Sequence, residues 1–264
     1  MPATFAHPVA VLPLKRFCPR WLNFAALVAG SMTPDFGYYF RRFDIADFSH
    51  TFVGSFLACV PIGCLLLTLL LLLRRPICYV LPQPHRDALM PSPTSFAWQP
   101  AALVRALISV LLGAWTHIIW DSFTHSSGWA VRHISFLHAT AVRLGNSDLP
   151  VSYFLRQFST LGGIAILFGT YVRWLRTRNT SNSARSSKST DRWRYLLLAS
   201  LGIVAVSIAS PPAFQMASQF SGYLAFRVLV FRTAIYSIAA FIPLLILCSV
   251  AAFALRRNET PAGT

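Results

Sequence analysis

Thr116-His117-Ile118-Ile119-Trp120-Asp121-Ser122-Phe123-Thr124-His125 closes an apolar run that begins at Ala101. From Ala101 to Asp121 the run is long enough to cross a bilayer as a helix. At about 100° per residue, His117, Asp121 and His125 fall within roughly 80° of arc, so one face of the helix end carries two imidazoles with a carboxylate between them. Ionisable groups are costly in hydrocarbon, and a polar stripe at the end of a membrane helix marks a candidate functional site. Imidazole and carboxylate together suit zinc, iron or manganese. Hydrogen bonds from His117 and Asp121 to each other and to a neighbouring helix account for the same stripe without a metal.

The rest of the composition agrees with a membrane setting. Of 264 residues, 55% are hydrophobic and 12% charged, with a mean hydropathy of +0.55. Lys and Arg number 23 against 8 acids, a formal charge of +15. The cations form short clusters beside apolar runs, as cytoplasmic flanks of membrane helices do, and no basic helix with interleaved aromatics points to nucleic acid. Cys18, Cys59, Cys64, Cys78 and Cys248 form no C-x-x-C pair and read as small apolar residues. The acids are seven Asp and a single Glu, Glu259, so a functional carboxylate is expected to be an Asp.

Five spans are expected, near Thr51–Leu73, Ala101–Asp121, Tyr153–Leu175, Tyr195–Ser210 and Phe231–Leu255. The N-terminus puts its weakly apolar segment, Phe5–Leu14, before Lys15, Arg16 and Arg20, the wrong order for a cleavable signal. Trp21–Met32 is short for a crossing and ends at Thr33-Pro34-Asp35, which predicts a buried or re-entrant helix. The fold expected is therefore an all-α polytopic bundle with short re-entrant or interfacial N-terminal helices. Residues 1–170 would form the membrane domain carrying the His/Asp residues, 173–194 a basic disordered cytoplasmic linker, and 195–255 a terminal helix pair. Ile134–Leu144 is mildly amphipathic, and His85 in the proline-rich loop reads as solvated.

Topology follows from charge. The 173–194 segment and the loop bearing Arg74, Arg75 and Arg86 are expected inside. Because spans alternate, His50 and the His117–His125 stretch land together on the extracytoplasmic side. Lys15, Arg16 and Arg20 disagree, unless Trp21–Phe40 crosses the membrane; a crossing there would strand His7 on the wrong face.

Taken at element ends, the His and Asp residues are His7, Asp35, His50, His117, Asp121 and His125. Singly, His7 and His50 suit an interface and Asp35 suits a turn. Jointly, their clustering on one side beside apolar helices points to a metal site. The sequences His7-Pro8-Val9-Ala10, Gly30-Ser31-Met32-Thr33-Pro34-Asp35, His50-Thr51-x-x-Gly54 and Thr116 to His125 resemble a bacterial family of multi-pass membrane proteins, domain of unknown function 4184, over roughly residues 1–170. More distantly, their order is similar to that in putative membrane-bound metal-dependent hydrolases and in zinc-dependent phospholipase C and related nucleases. That resemblance implies a bacterial cell-membrane protein whose zinc cluster cleaves a lipid or phosphoester; because this chain has no late His-x3-Glu, one or two divalent ions are expected, zinc first among them. Asp121 and Asp35 would be the catalytic carboxylates. A non-catalytic protein, with a structural polar network or a metal or proton pathway, is the alternative.

Overall fold

The computed structural model describes residues 4–40, 42–90, 99–144, 147–178 and 188–259. A 3-10 helix (Thr4–Phe17) is followed by α1 (Phe24–Gly30), α2 (Phe36–Tyr39), α3 (Phe43–Ser49) and α4 (Phe52–Gly54). A π-helical turn, Ser55–Cys59, joins α4 to α5 (Val60–Val80), and α6 (His85–Leu89) and α7 (Pro100–Thr124) come next. Two short helices, α8 (Trp129–His133) and α9 (Ser135–His138), lead into an antiparallel hairpin of β1 (Thr140–Leu144) and β2 (Ser147–Pro150). Three long helices complete the chain: α10 (Val151–Arg178), α11 (Lys188–Ala217) and α12 (Gly222–Glu259).

Five helical stretches are long and apolar enough to cross a membrane: Phe52–Val80, Pro100–His133, Val151–Arg178, Asp191–Ala217 and Gly222–Leu255. The fold is an all-α polytopic bundle, as the sequence predicts. The last span buries only 6% of its most apolar window within the protein. Side chains such as Leu72, Phe168 and Ile203 are exposed on these helices. Packing within the chain therefore does not account for their apolarity; a bilayer does.

The elements differ from the sequence expectation in several places. The first span does not stop at Leu73 but runs on through Arg74, Arg75 and Pro76 to Val80. The fourth passes through Pro211-Pro212 to Ala217, because the buried Ala205, Ala209, Ala213 and Ala217 continue one packed face across the proline pair. In the 134–144 region only Ser135–His138 is helical; the β-branched Thr140 and Val142 belong to the hairpin. The expected linker at 173–194 is helical at both margins, to Arg178 and from Lys188, and its centre, 179–187, lies outside the described residues.

The chain forms two compact units, one of residues 1–69 and 95–173, the other of 70–94 and 174–264. The second is built on the pairing of α11 with α12. Leu201, Ala205, Ala209, Ala213 and Ala217 are buried at every fourth position of α11, the small-residue stripe that lets apolar helices approach closely. At the start of α11 the Asp191 carboxylate accepts the Gln83 backbone N–H at 3.0 Å and the Arg194 guanidinium at 2.8 Å. Arg194 also donates to the Tyr79 carbonyl at 3.0 Å.

In the first unit, α1 lies against α7. Gly30 and Gly113 are required there: a Cβ on Gly30 would run into the Val110 carbonyl, and one on Gly113 into the Leu27 carbonyl. Ala26, Ala106 and Val110 fill the same seam. The N-terminal residues run along α7 and back. His7 stacks on His117 near one end of α7, whereas Pro19 accepts a hydrogen bond from Arg105 near the other. The return leg is pinned where the Asn23 N–H meets the Ser109 hydroxyl and where the Ser31 carbonyl meets His117. Thus Thr4 to Asp35 forms a re-entrant loop that starts and finishes beside His117. The loop also carries Lys15, Arg16 and Arg20 to the Arg105 end of α7 while leaving His7 beside His117. The conflict between the N-terminal charges and the position of His7 disappears.

Candidate metal centre

Six side chains expected from the sequence converge on one point. Asp121, one turn before the end of α7, is at the middle. Its Oδ2 is 3.3 Å from His117 Nε2, 3.5 Å from His50 Nε2 and 3.4 Å from His125 Nδ1. Its Oδ1 is 3.5 Å from His7 Nε2. Asp35 closes the group, with Oδ1 3.6 Å from His117 Nε2 and 3.8 Å from His50 Nε2.

Local structure explains each placement. His117 and Asp121 share a face because they are four residues apart on α7. His125 follows the last helical residue in extended conformation, and its ring still turns back on Asp121. Asp35 ends the Ser31–Asp35 turn that the Gly30–Val110 approach presses against α7. Thr51 caps α4 by accepting the Gly54 N–H at 2.9 Å, which ends α3 at His50. The π-helical turn then orients Ser55, whose hydroxyl accepts the Trp115 indole N–H at 3.1 Å. An extra residue in a helical turn re-aims neighbouring side chains and recurs near functional sites.

Two imidazoles are oriented by backbone. His50 Nδ1 lies 2.8 Å from the Ala46 carbonyl, and His117 Nδ1 lies 2.7 Å from the Ser31 carbonyl. A carbonyl only accepts, so both Nδ1 atoms carry hydrogen, and a neutral ring then presents the Nε2 lone pair inward. Metal-binding histidines are held by carbonyls in this way. Asp35 is oriented too, with Oδ2 accepting the Thr4 hydroxyl at 2.7 Å.

The inner distances bear on two uses of these groups. A charge-assisted hydrogen bond between imidazolium and carboxylate is about 2.7–2.9 Å long. The Nε2-to-oxygen distances to Asp35 and Asp121 run instead from 3.3 to 3.8 Å. Donor atoms of a tetrahedral zinc site, each about 2.1 Å from the ion, lie about 3.4 Å from one another. One atom from each of Asp35, His50, His117 and Asp121 falls within 4.8 Å of all the others. The spacing fits ligands that could share a metal ion.

Burial and charge point the same way. Asp35, His117 and His7 are 1%, 0% and 3% exposed, and Asp121 is 6%. His7 Nδ1 and Nε2, His117 Nε2 and Asp121 Oδ1 are buried without a hydrogen-bond partner. An orphaned buried polar atom costs about 1–3 kcal/mol, so four together call for an additional partner. Two carboxylates this close also repel strongly when buried, and a divalent cation cancels both charges. Burial, then the neighbouring His117, pushes the His7 pKa down to about 3, which keeps this ring neutral. For Asp35, burial acts to raise the pKa, but His117 and the Thr4 hydroxyl outweigh it and hold the carboxyl below its ordinary range. For His50, burial acts to lower the pKa, but Asp121 and the Ala46 carbonyl prevail and raise it.

The centre opens on one side only. The side chains of His50 and His125 are each 24% exposed, whereas those of His117 and Asp35 are at most 2% exposed. His138 stands apart, its Nδ1 3.1 Å from the Val131 carbonyl. Sequence reasoning missed the supporting groups: Thr4, and the Ser31 and Ala46 carbonyls. Thr4 could have been noticed, three residues before His7; backbone carbonyls leave no mark in a sequence.

Fold and site together define a multi-pass helical membrane protein with a buried His/Asp cluster able to hold a metal ion. The chain belongs to the family described as Domain of unknown function (DUF4184), whose profile matches residues 1–250. The match covers the 1–170 region that carries the motifs and takes in most of the terminal helix pair, whose spans follow the same plan. No curated protein and no solved structure matches the chain. The likeness to zinc hydrolases thus rests on residue order alone.

Proposed function

We propose that the protein is a membrane-bound, metal-dependent hydrolase that acts on a lipid or phosphoester at the extracytoplasmic face, with zinc as the preferred ion. The observation that carries the metal is the 3.3–3.8 Å spacing of the inward Nε2 and carboxylate oxygens. Asp35, His50, His117 and Asp121 are the ligand set, and His7 and His125 flank it. Two imidazoles with two carboxylates suit zinc and neighbouring divalent metals.

A divalent ion here supplies Lewis acidity toward a phosphoryl oxygen. The chain supplies the remainder. The His50–His125 edge admits a substrate, while the apolar α7 environment strengthens every electrostatic interaction behind it. Asp121 Oδ1 and Asp35 are the carboxylates placed to accept a proton from attacking water. Charge supports this sidedness: Lys15, Arg16, Arg20 and Arg105 gather at the end of α7 remote from the cluster, and the positive-inside rule favours an outside position for the cluster. Labelling of single cysteines in intact cells checks this; Gly128→Cys reacts from outside and Ser186→Cys does not, and the reverse pattern rejects the orientation.

Turnover tests the reaction. Zinc-loaded protein in detergent, offered a soluble aryl phosphodiester and a phospholipid, should cleave at least one, lose activity on chelation and regain it with zinc. A fully metallated protein inactive on such a panel would reject the hydrolase and leave the metal site standing. The competing reading, a metal-free structural network, is disfavoured by the long separations and by the orphaned His7 nitrogens.

A further inference from the structure

At the opposite end of α7 the first unit contains a second feature, unrelated to the His/Asp cluster. A cleft of about 480 Å³ is lined by Lys15, Leu22, Phe24, Ala102 and Arg105, among others. From Arg105 to Asp121 is sixteen residues along one helix, or roughly 24 Å, most of a hydrocarbon core about 30 Å thick. The cleft therefore sits near the interface opposite the cluster.

Its walls are of two kinds. Leu22, Phe24 and Ala102 are apolar, and Lys15 Nζ lies 5.4 Å from the Phe24 ring centroid. The other wall is cationic. Arg105 donates from Nη1 to the Pro19 carbonyl at 2.8 Å and from Nε to the Ala101 carbonyl at 3.2 Å. A guanidinium has five N–H donors, so those two bonds fix its plane and leave donors over for a ligand. Among the described residues, none of Lys15, Arg16, Arg20 and Arg105 pairs with a carboxylate. Arg16 and Arg20 lie instead over the exposed rings of Phe17 and Trp21, an arrangement suited to the headgroup layer.

We propose that this cleft is a specific site for an anionic phospholipid. Its phosphate meets Lys15 and Arg105, and its acyl chains descend along Leu22, Phe24 and Ala102. A basic pocket beside a membrane helix, at interface depth and continuous with apolar surface, complements a lipid that is negative at one end and apolar at the other. A soluble anion uses only the first of those walls.

The test uses the full chain purified in detergent and stripped of lipid. Phosphatidylglycerol, phosphatidylcholine and inorganic phosphate are titrated separately, with lipid retention read by native mass spectrometry and stability by thermal unfolding. Phosphatidylglycerol should be retained several-fold better than phosphatidylcholine, and phosphate should leave the unfolding temperature unchanged. Lys15→Gln should weaken phosphatidylglycerol retention about fivefold, the worth of one cation at a membrane surface. Arg105→Gln also breaks the bond to Pro19, so Ala102→Trp serves as the companion variant; it fills the cleft and leaves every charge in place. It should abolish the preference. Arg16→Gln, over the Phe17 ring, should have little effect. All variants should keep the parent's metal content, which separates this site from the His/Asp cluster. Equal retention of the two lipids by the parent, undiminished retention in both Lys15→Gln and Ala102→Trp, or a stabilisation reproduced by phosphate alone would overturn the proposal.

Discussion

Small residues bring helices together in both units, to different ends. On α11 the buried stripe of Ala205, Ala209, Ala213 and Ala217 is alanine throughout. On α7 the close approach at Gly30 and Gly113 ends one turn from His117 and two from Asp121, both of them buried. The alanine seam maximises contact between apolar surfaces. The glycine seam brings backbone close enough for the Ser31 carbonyl to reach His117 and for Asp35 to face Asp121. A close approach thus becomes a site only where the turn it presses inward delivers polar atoms.

Substitutions in the two seams should separate these roles. Gly30→Leu, meeting the Val110 carbonyl, should displace the Ser31–Asp35 turn and remove bound metal along with several degrees of thermal stability. Ala209→Leu, an overpacking in the other seam, should cost about 1–3 kcal/mol and leave metal content at the parent level. Thermal unfolding with elemental analysis of both variants checks the contrast, and metal loss from Ala209→Leu would erase it.

Acid should act on the glycine seam alone. Metal binding needs unprotonated imidazole, and Asp121 with the Ala46 carbonyl raises the His50 pKa above its ordinary 6.5. Protons therefore compete with metal from a higher pH than for a free histidine, and affinity falls as pH drops through that value. Equilibrium dialysis against zinc across pH 5 to 8 should show the loss, whereas His50→Asp should shift it to lower pH. A flat profile in the parent would remove His50 from the ligand set.

A partial loss of affinity is expected at a group that orients a ligand. Thr4→Val removes the hydroxyl that holds Asp35 Oδ2, and loss of such a partner costs about 10- to 100-fold in metal affinity. In the other unit, Arg194→Gln breaks the bonds to Asp191 and Tyr79 and should lower stability by about 1–3 kcal/mol without changing affinity. Zinc titration of the two variants distinguishes them.

Much of this was legible in the sequence, for identifiable reasons. Apolar length marks a span whatever its neighbours do, so five spans could be read from composition. The i, i+4 spacing of His117 and Asp121 fixes a shared face, and position at the ends of elements beside apolar helices picks out His7, Asp35 and His50. What stayed hidden depends on approach between distant segments. Nothing local in Thr4–Phe17 says that it lies along α7, and so the Lys15, Arg16 and Arg20 charges looked misplaced. The helix through Pro211-Pro212 is likewise decided by the packed Ala205–Ala217 face and not by local propensity.

Metal content of the intact protein tests the central claim most directly. Protein purified without chelator should hold zinc or a similar divalent ion in at least one equivalent per chain. Asp121→Asn, which keeps the shape and removes the charge, and His117→Ala, which removes a donor, should both be folded and lack it; His85→Ala should match the parent. A folded parent that carries no stoichiometric metal and takes up none on addition of zinc, with Asp121→Asn and His117→Ala altered only in thermal stability, would contradict the account and establish a structural polar network in its place.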